Sequence, residues 1–245
     1  GNSFTESMGT GVEDTWANQV NKISGIEIYN AGVQGYSGTQ LLGTYNLIRK
    51  KIKHTGVIIG VIPLMFEREK KFVNSNLIEK QEGTGGIASI VTNSKRINHS
   101  FLVGFFRAFK KRMSKDFLFD KNNYKSKYSS EIPKNIFSRE ELANNDSWNR
   151  FADQLKKLSS DILNQNKRVI IVMFPKRYEV YFSAKEIGVE NANLTQYYIE
   201  LEMLKKSMPQ NVEFVDVFPY LKKEFEKNEK FFYFQKDGHL NKLGN

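Results

Sequence analysis

Two short apolar runs limit the fold of this chain more than any other feature. Val57-Ile58-Ile59-Gly60-Val61-Ile62 and Val169-Ile170-Ile171-Val172-Met173-Phe174 are unbroken and rich in β-branched residues. A strand with no polar alternation is buried on both faces, as in a parallel sheet covered by helices. Val212-Glu213-Phe214-Val215-Asp216-Val217 reads as a third strand, and Ile26-Glu27-Ile28-Tyr29-Asn30 as a further short one. Helical spacing of apolar residues fills the intervals. It places Trp16, Val20 and Ile23 on the inner face of a helix over residues 6–24, and Leu41, Leu42, Tyr45 and Ile48 on one over 40–53. A helix over 147–166 aligns Trp148, Phe151, Leu155, Leu158 and Ile162; others are expected around 193–207 and over 221–230. Strands alternating with helices predict a three-layer α/β/α sandwich around a central parallel sheet. The ligand-binding groups of such sheets lie beyond the C-terminal ends of the strands.

The chain's 245 residues suffice for one large domain, here 1–245 with an insertion at about 64–145. No run of about 18 apolar residues is present to span a membrane, and no signal peptide is recognisable. There is no Cys, so disulfides and thiolate chemistry are excluded. The three His, at 54, 99 and 239, show no metal-ligand spacing, and neither a metal nor a cofactor is expected.

Few places remain for His-dependent chemistry. Ser3 near one end and Asp237-Gly238-His239 near the other supply a nucleophile, an orienter and a base. Those are the three roles of nucleophilic acyl transfer, and Ser…Asp…His is one of several orders in which they occur. Taken singly, Gly1-Asn2-Ser3 reads as a turn or helix cap, and Asp237-Gly238 as a turn.

Jointly the blocks resemble a known family. Gly1-Asn2-Ser3-Phe4-Thr5-Glu6 is similar to the Gly-Asp-Ser block of the SGNH/GDSL hydrolases. Asn30-Ala31-Gly32-Val33-Gln34-Gly35-Tyr36 resembles their second block, and Asp237-Gly238-His239-Leu240-Asn241-x-x-Gly244 their last. That last block is similar to the form in SGNH domains acting on polysaccharide O-acyl groups. The resemblance implies a flavodoxin-like SGNH fold, with Ser3, Asp237 and His239 catalytic and the Ser3 and Gly35 N–H groups forming the oxyanion hole. Asn2, Gln34, Lys176 and Tyr178 are candidate substrate-lining residues. Lys176 and Tyr178 belong to a stretch ending Val180-Tyr181 that resembles the exit of this strand in the same branch.

Two departures stand out. Asn2 replaces the usual Asp, a tolerable change at a position that supports the loop by hydrogen bonds. The third block normally presents an Asn beyond its strand as a further oxyanion donor, where this chain has Val61-Ile62-Pro63-Leu64. Such a donor is typically worth about 3 kcal/mol, and an apolar side chain cannot replace it. Asn74 and Asn76 lie downstream. Against the family's length the chain reads as clipped at both ends. An extracytoplasmic or membrane-anchored setting is expected for the whole protein, the cytoplasm being the alternative.

The implied activity is that of an esterase or acyltransferase acting through a Ser3 acyl-enzyme on O-acyl groups, O-acetyl first among them. Its substrate would be an acylated carbohydrate or another small ester. The alternative is a catalytically weak or inactive SGNH domain that binds glycan or a partner. A third reading is a lipid esterase, suggested by the Phe-rich basic stretch at 101–112, part of a longer basic stretch at 101–127. There Arg107, Lys110, Lys111, Arg112, Lys115, Lys121, Lys125 and Lys127 face only Asp116 and Asp120. The plain reading of that stretch is a packed helix with a solvated Lys face. The sharper ones are contact with a membrane surface or an anionic polymer. No nucleic-acid module accompanies the charge, so nucleic acid is not expected as a partner.

Overall fold

The computed structural model describes residues 1–7, 9–69, 124–234 and 238–245. The chain divides into two compact units, Gly1–Lys70 with Lys127–Asn245, and Lys71–Ser126. Residues 64–69 and 127–145, which the sequence groups with the insertion, therefore belong to the first unit. Asn74, Asn76 and the basic stretch up to residue 123 lie outside the described residues.

The first unit is α/β, and its described strands form one parallel sheet. β1 (Gly56–Val61), β2 (Arg168–Met173) and β3 (Val212–Asp216) stand in that order. The register sets Gly56 against Arg168 and Val61 against Met173; Val169 pairs with Val212 and Met173 with Asp216. Ile59, Val61, Val169, Ile171 and Met173 are buried in the core. All three strands thus end together, and their exits form one rim.

Helix α4 (Asp146–Leu163) buries the face expected from its spacing: Trp148, Phe151, Leu155, Leu158 and Ile162. It packs on α3 (Gly38–Ile48), whose buried residues include Leu41, Leu42 and Tyr45. α6 (Gln196–Ser207) ties the strand exits together. Its Tyr197 hydroxyl donates to the Met173 carbonyl at 3.0 Å and to the Asp216 carboxylate at 2.5 Å, spanning the ends of β2 and β3. Its Glu200 accepts the Leu64 N–H at 2.9 Å, just beyond β1.

Two sequence expectations fail near the start. The helix expected over 6–24 is interrupted. One turn, α1 (Ser3–Glu6), ends where Ser7 turns left-handed at φ 57°, and α2 (Trp16–Ser24) begins only after a Thr15 cap. Val20 and Ile23 point outward, Ile23 being 85% exposed. α2 is anchored instead by Ala17 and by the Trp16 indole N–H, which donates to the Phe4 carbonyl at 3.2 Å. The expected strand 26–30 is irregular and mostly exposed, with Ile26 and Tyr29 in solvent. A strand is defined by its ladder, and this segment has none among the described residues. Its bonds go to α1 through Asn30.

No described helix is long and apolar enough to cross a membrane.

Candidate active site

Ser3 is the first residue of α1. Asn2 caps the turn, its Oδ1 accepting the Phe4 N–H at 3.0 Å while its Nδ2 donates to the Met65 sulfur at 3.6 Å. Asn and Asp serve equally at such caps, so the departure from the usual Asp keeps the local geometry. The turn is tied down from outside: the Asn30 amide donates to the Thr5 carbonyl at 2.8 Å. It is also wedged between two glycines that no other residue could replace without movement. A Cβ on Gly32 would lie 2.4 Å from the Glu6 nitrogen, and one on Gly60 of β1 2.2 Å from Thr5 Oγ1. Ser3 is held 2% exposed.

His239 approaches from the other end of the chain. Its Nε2 stands 2.7 Å from Ser3 Oγ, and its ring lies 5.2 Å from that of Phe4. With its proton on Nδ1, the imidazole accepts the serine hydroxyl proton at Nε2. The segment around it is a small scaffold. Tyr233 and Leu240 form an antiparallel bridge, and the Phe234 N–H donates to the His239 carbonyl at 3.0 Å. Asn241 donates to the Phe231 carbonyl at 2.7 Å and accepts the Leu243 N–H at 2.8 Å. Gly244 lets the chain pass close, since a Cβ there would sit 2.4 Å from the Phe232 carbonyl oxygen. The Asn and Gly of this block thus hold the His in place. Asp237 lies outside the described residues.

Arg177, which sequence reasoning passed over, braces this scaffold from α5 (Arg177–Tyr181). It is buried, donates to the Phe234 carbonyl, forks onto the Glu131 carboxylate and stacks 3.8 Å from the Tyr128 ring. The Tyr233 hydroxyl adds a bond of 2.7 Å to the Pro175 carbonyl.

The candidate lining residues fall into different places. Gly35 lies in an exposed turn at φ 82°, a left-handed conformation suited to glycine, with Gln34 exposed beside it. That turn is tethered near the serine, since the Val33 N–H donates to the Gly1 carbonyl at 3.1 Å. Ser3 N–H belongs to the first turn of a helix and has no intrahelical acceptor. Asn2, expected among the lining residues, is fully buried with its amide engaged and supports the turn from beneath. Tyr178 is likewise buried, with no hydrogen-bond partner for its hydroxyl among the described residues. Lys176 is half-buried at the exit of β2. Burial lowers the pKa of its ammonium, against the pull of Glu179, Glu200 and Glu67. At the apolar exit of β1, Leu64 adopts φ 61° and gives its N–H to Glu200.

Two buried glutamates hold this rim. Burial raises Glu179 to about 7, opposed by hydrogen bonds from the Lys176 and Tyr197 N–H groups and by the Lys176 charge. It raises Glu200 to about 8, opposed by the Leu64 N–H and the Gln196 amide. Each takes one partner from its own element, Lys176 and Gln196, and one from another, Tyr197 and Leu64, and the local partner does not mark the glutamate as buried. Each folded-state pKa lies above the value near 4.5 of a free carboxyl. Between about pH 5 and 7 the folded chain therefore holds protons that the unfolded chain has released, and stability falls as pH rises. The slope reaches about 1.4 kcal/mol per pH unit for each group. Thermal unfolding midpoints across pH 5–8 should decline accordingly, and Glu200→Gln should flatten the profile. A wild-type midpoint that rises through this range would contradict it.

Compared with protein-family models, curated proteins and solved structures, the chain matches none.

Proposed function

We propose that this chain is a serine acyl-transfer domain of the SGNH/GDSL type, an esterase or acyltransferase for O-acyl groups, O-acetyl first among them, on a carbohydrate. The observation that carries the reading is the 2.7 Å contact between Ser3 Oγ and His239 Nε2, which joins residues 236 apart in sequence. Supporting it are the capped turn beneath the serine, the Gly35 turn tethered beside it and the bonded scaffold around the histidine.

In this mechanism Ser3 Oγ attacks the ester carbonyl carbon as its proton passes to His239 Nε2. The new C–O bond creates a tetrahedral oxyanion, which the Ser3 and Gly35 N–H groups stabilise. Its collapse breaks the bond to the leaving alkoxide, which takes the proton from His239. Water or a sugar hydroxyl, deprotonated by the same imidazole, then attacks the acyl-enzyme and frees Ser3. Asp237, two residues before His239, is assigned the imidazole on sequence grounds. The apolar exit of β1 favours one alternative, a glycan-binding domain without turnover, since the usual third donor is missing there.

Fluorophosphonate labelling with parallel turnover of p-nitrophenyl acetate tests the proposal. Labelling mapped to Ser3 is expected, with an acetylated glycan and an acceptor glycan then separating hydrolysis from transfer. A folded protein that neither labels nor turns over would favour the binding-domain reading.

A further inference from the structure

The turn bearing Gly35 is exposed and glycine-containing, yet an oxyanion donor must keep its place to a fraction of an ångström. Its own short-range bonds are few. The Tyr36 N–H reaches the Val33 carbonyl at 3.4 Å, and the Ser37 N–H the Gln40 side chain at 3.0 Å. The strongest restraints come from two consecutive residues beyond β1, about 30 positions away. Glu69 is fully buried, and its carboxylate takes three bonds from the start of α3. Ser37 Oγ and the Thr39 N–H donate to Oε1 at 2.7 and 3.0 Å, and Thr39 Oγ1 donates to Oε2 at 2.7 Å. A carboxylate on the first-turn amides of a helix is favoured by both hydrogen bonding and the helix dipole. Arg68, the preceding residue, donates from Nη1 to the Tyr36 carbonyl at 3.3 Å, one residue after Gly35. Gly38 lets this contact close, since a Cβ there would meet Glu69 Oε1 at 3.1 Å.

We infer that Glu69 is a positioning residue for the Gly35 oxyanion donor, with Arg68 as a second tether, so that the exit of β1 acts on the oxyanion hole from behind. In the resembled family that exit supplies a donor side chain of its own. Here its side chains are apolar at 61–65, and the polar residues that follow grip the neighbouring donor loop instead. The inference rests on the acyl-transfer reading for its catalytic part, whereas the tether itself does not.

The experiment has two arms on the same variants, Glu69→Ala, Glu69→Gln and Arg68→Met. The first measures amide hydrogen exchange, by NMR or mass spectrometry, over residues 31–40 against α4 as an internal reference. Glu69→Ala should raise exchange of the Thr39 amide and its neighbours by tenfold or more, with α4 unchanged. Glu69→Gln, which keeps an acceptor, should recover most of the protection. The second arm measures turnover of p-nitrophenyl acetate and inhibition by a trifluoromethyl ketone, whose Ser3 adduct places an oxyanion in the hole. Glu69→Ala should lower kcat by roughly 10²-fold, as for an ångström-scale misplacement, with KM nearly unchanged and ketone affinity lost in parallel. Arg68→Met should do the same to a smaller degree.

Unchanged exchange over 31–40 in the Ala and Met variants overturns the tether. Raised exchange with unchanged kcat and ketone affinity overturns the positioning role. A wild type with no Ser3-dependent turnover sinks the acyl-transfer reading and the catalytic part with it, and the exchange arm still decides the tether. Should Glu69→Ala fail to fold, the Gln and Met variants carry both comparisons.

Discussion

Ser3→Ala and His239→Ala are each expected to lower ester turnover by about 10⁴-fold or more, and the double variant to lose little beyond either single one. The two side chains share one hydrogen bond, and in the proposed mechanism they act in one proton transfer. Removing either therefore removes most of what both provide, and losses in such a unit do not add. Ser3→Ala deletes only a hydroxyl, and the Asn2 cap accepts the Phe4 N–H as before. Its unfolding midpoint should stay within a degree or two of wild type. Asp237→Asn should cost a comparable factor if Asp237 holds the imidazole tautomer. Turnover by p-nitrophenyl acetate assay, beside fluorophosphonate labelling, checks the set. Equal activity in wild type and Ser3→Ala would end the acyl-enzyme reading, whatever the state of His239.

The largest structural effect is expected at Arg177. Its guanidinium is buried, and it satisfies a backbone carbonyl at Phe234, a carboxylate at Glu131 and the face of Tyr128 at once. Arg177→Met keeps much of the volume and none of these bonds. Loss of one partner of a buried ion pair typically costs 3–5 kcal/mol, because the other is left without compensation. Glu131 retains 35% side-chain exposure and can be re-solvated, which puts the loss near the lower end, about 3 kcal/mol. In a chain of this size that is a fall of roughly 6–12 °C in Tm. Lys is no substitute, since it cannot fork onto the carboxylate while reaching the carbonyl. Because Phe234 also donates to the His239 carbonyl, activity should fall along with stability. A double-mutant cycle with Glu131→Gln measures the pair, and a Tm loss under 2 °C in Arg177→Met would show that the brace is dispensable.

How much was legible in the sequence follows from the range of each interaction. β1, β2 and α4 were readable because burial imposes a local pattern, an unbroken apolar run or a stripe at helical spacing, and β3 because Val212, Phe214 and Val215 favour a strand even with Glu213 and Asp216 among them. The same logic misread α2, where Val20 and Ile23 keep the spacing but face solvent. Periodicity reports a face without saying what covers it. The strand expected at 26–30 failed because a strand needs a partner, and pairing is not written in one segment. Ser3 and His239 were legible as a candidate pair through short motifs far apart in the sequence, and the contact between them is present. Glu69, Glu200 and Arg177 were not legible. Each bonds to atoms 30 to 136 positions away, and nothing local marks a Glu or Arg that will be buried.

The span between Ser3 and His239 also orders events in time. A ribosome delivers the serine turn 236 residues before the imidazole, so Ser3 lacks this partner while the chain between them is made. Non-local contacts of this reach form after local ones, since the loop must close before the contact rewards it. Formation of the pair is therefore a late signal that the sheet, the Gly35 loop and the terminal scaffold have docked. On the acyl-transfer reading, a nascent or partly folded chain would carry an unactivated serine, and reactivity toward esters would switch on only when the Ser3–His239 contact closes.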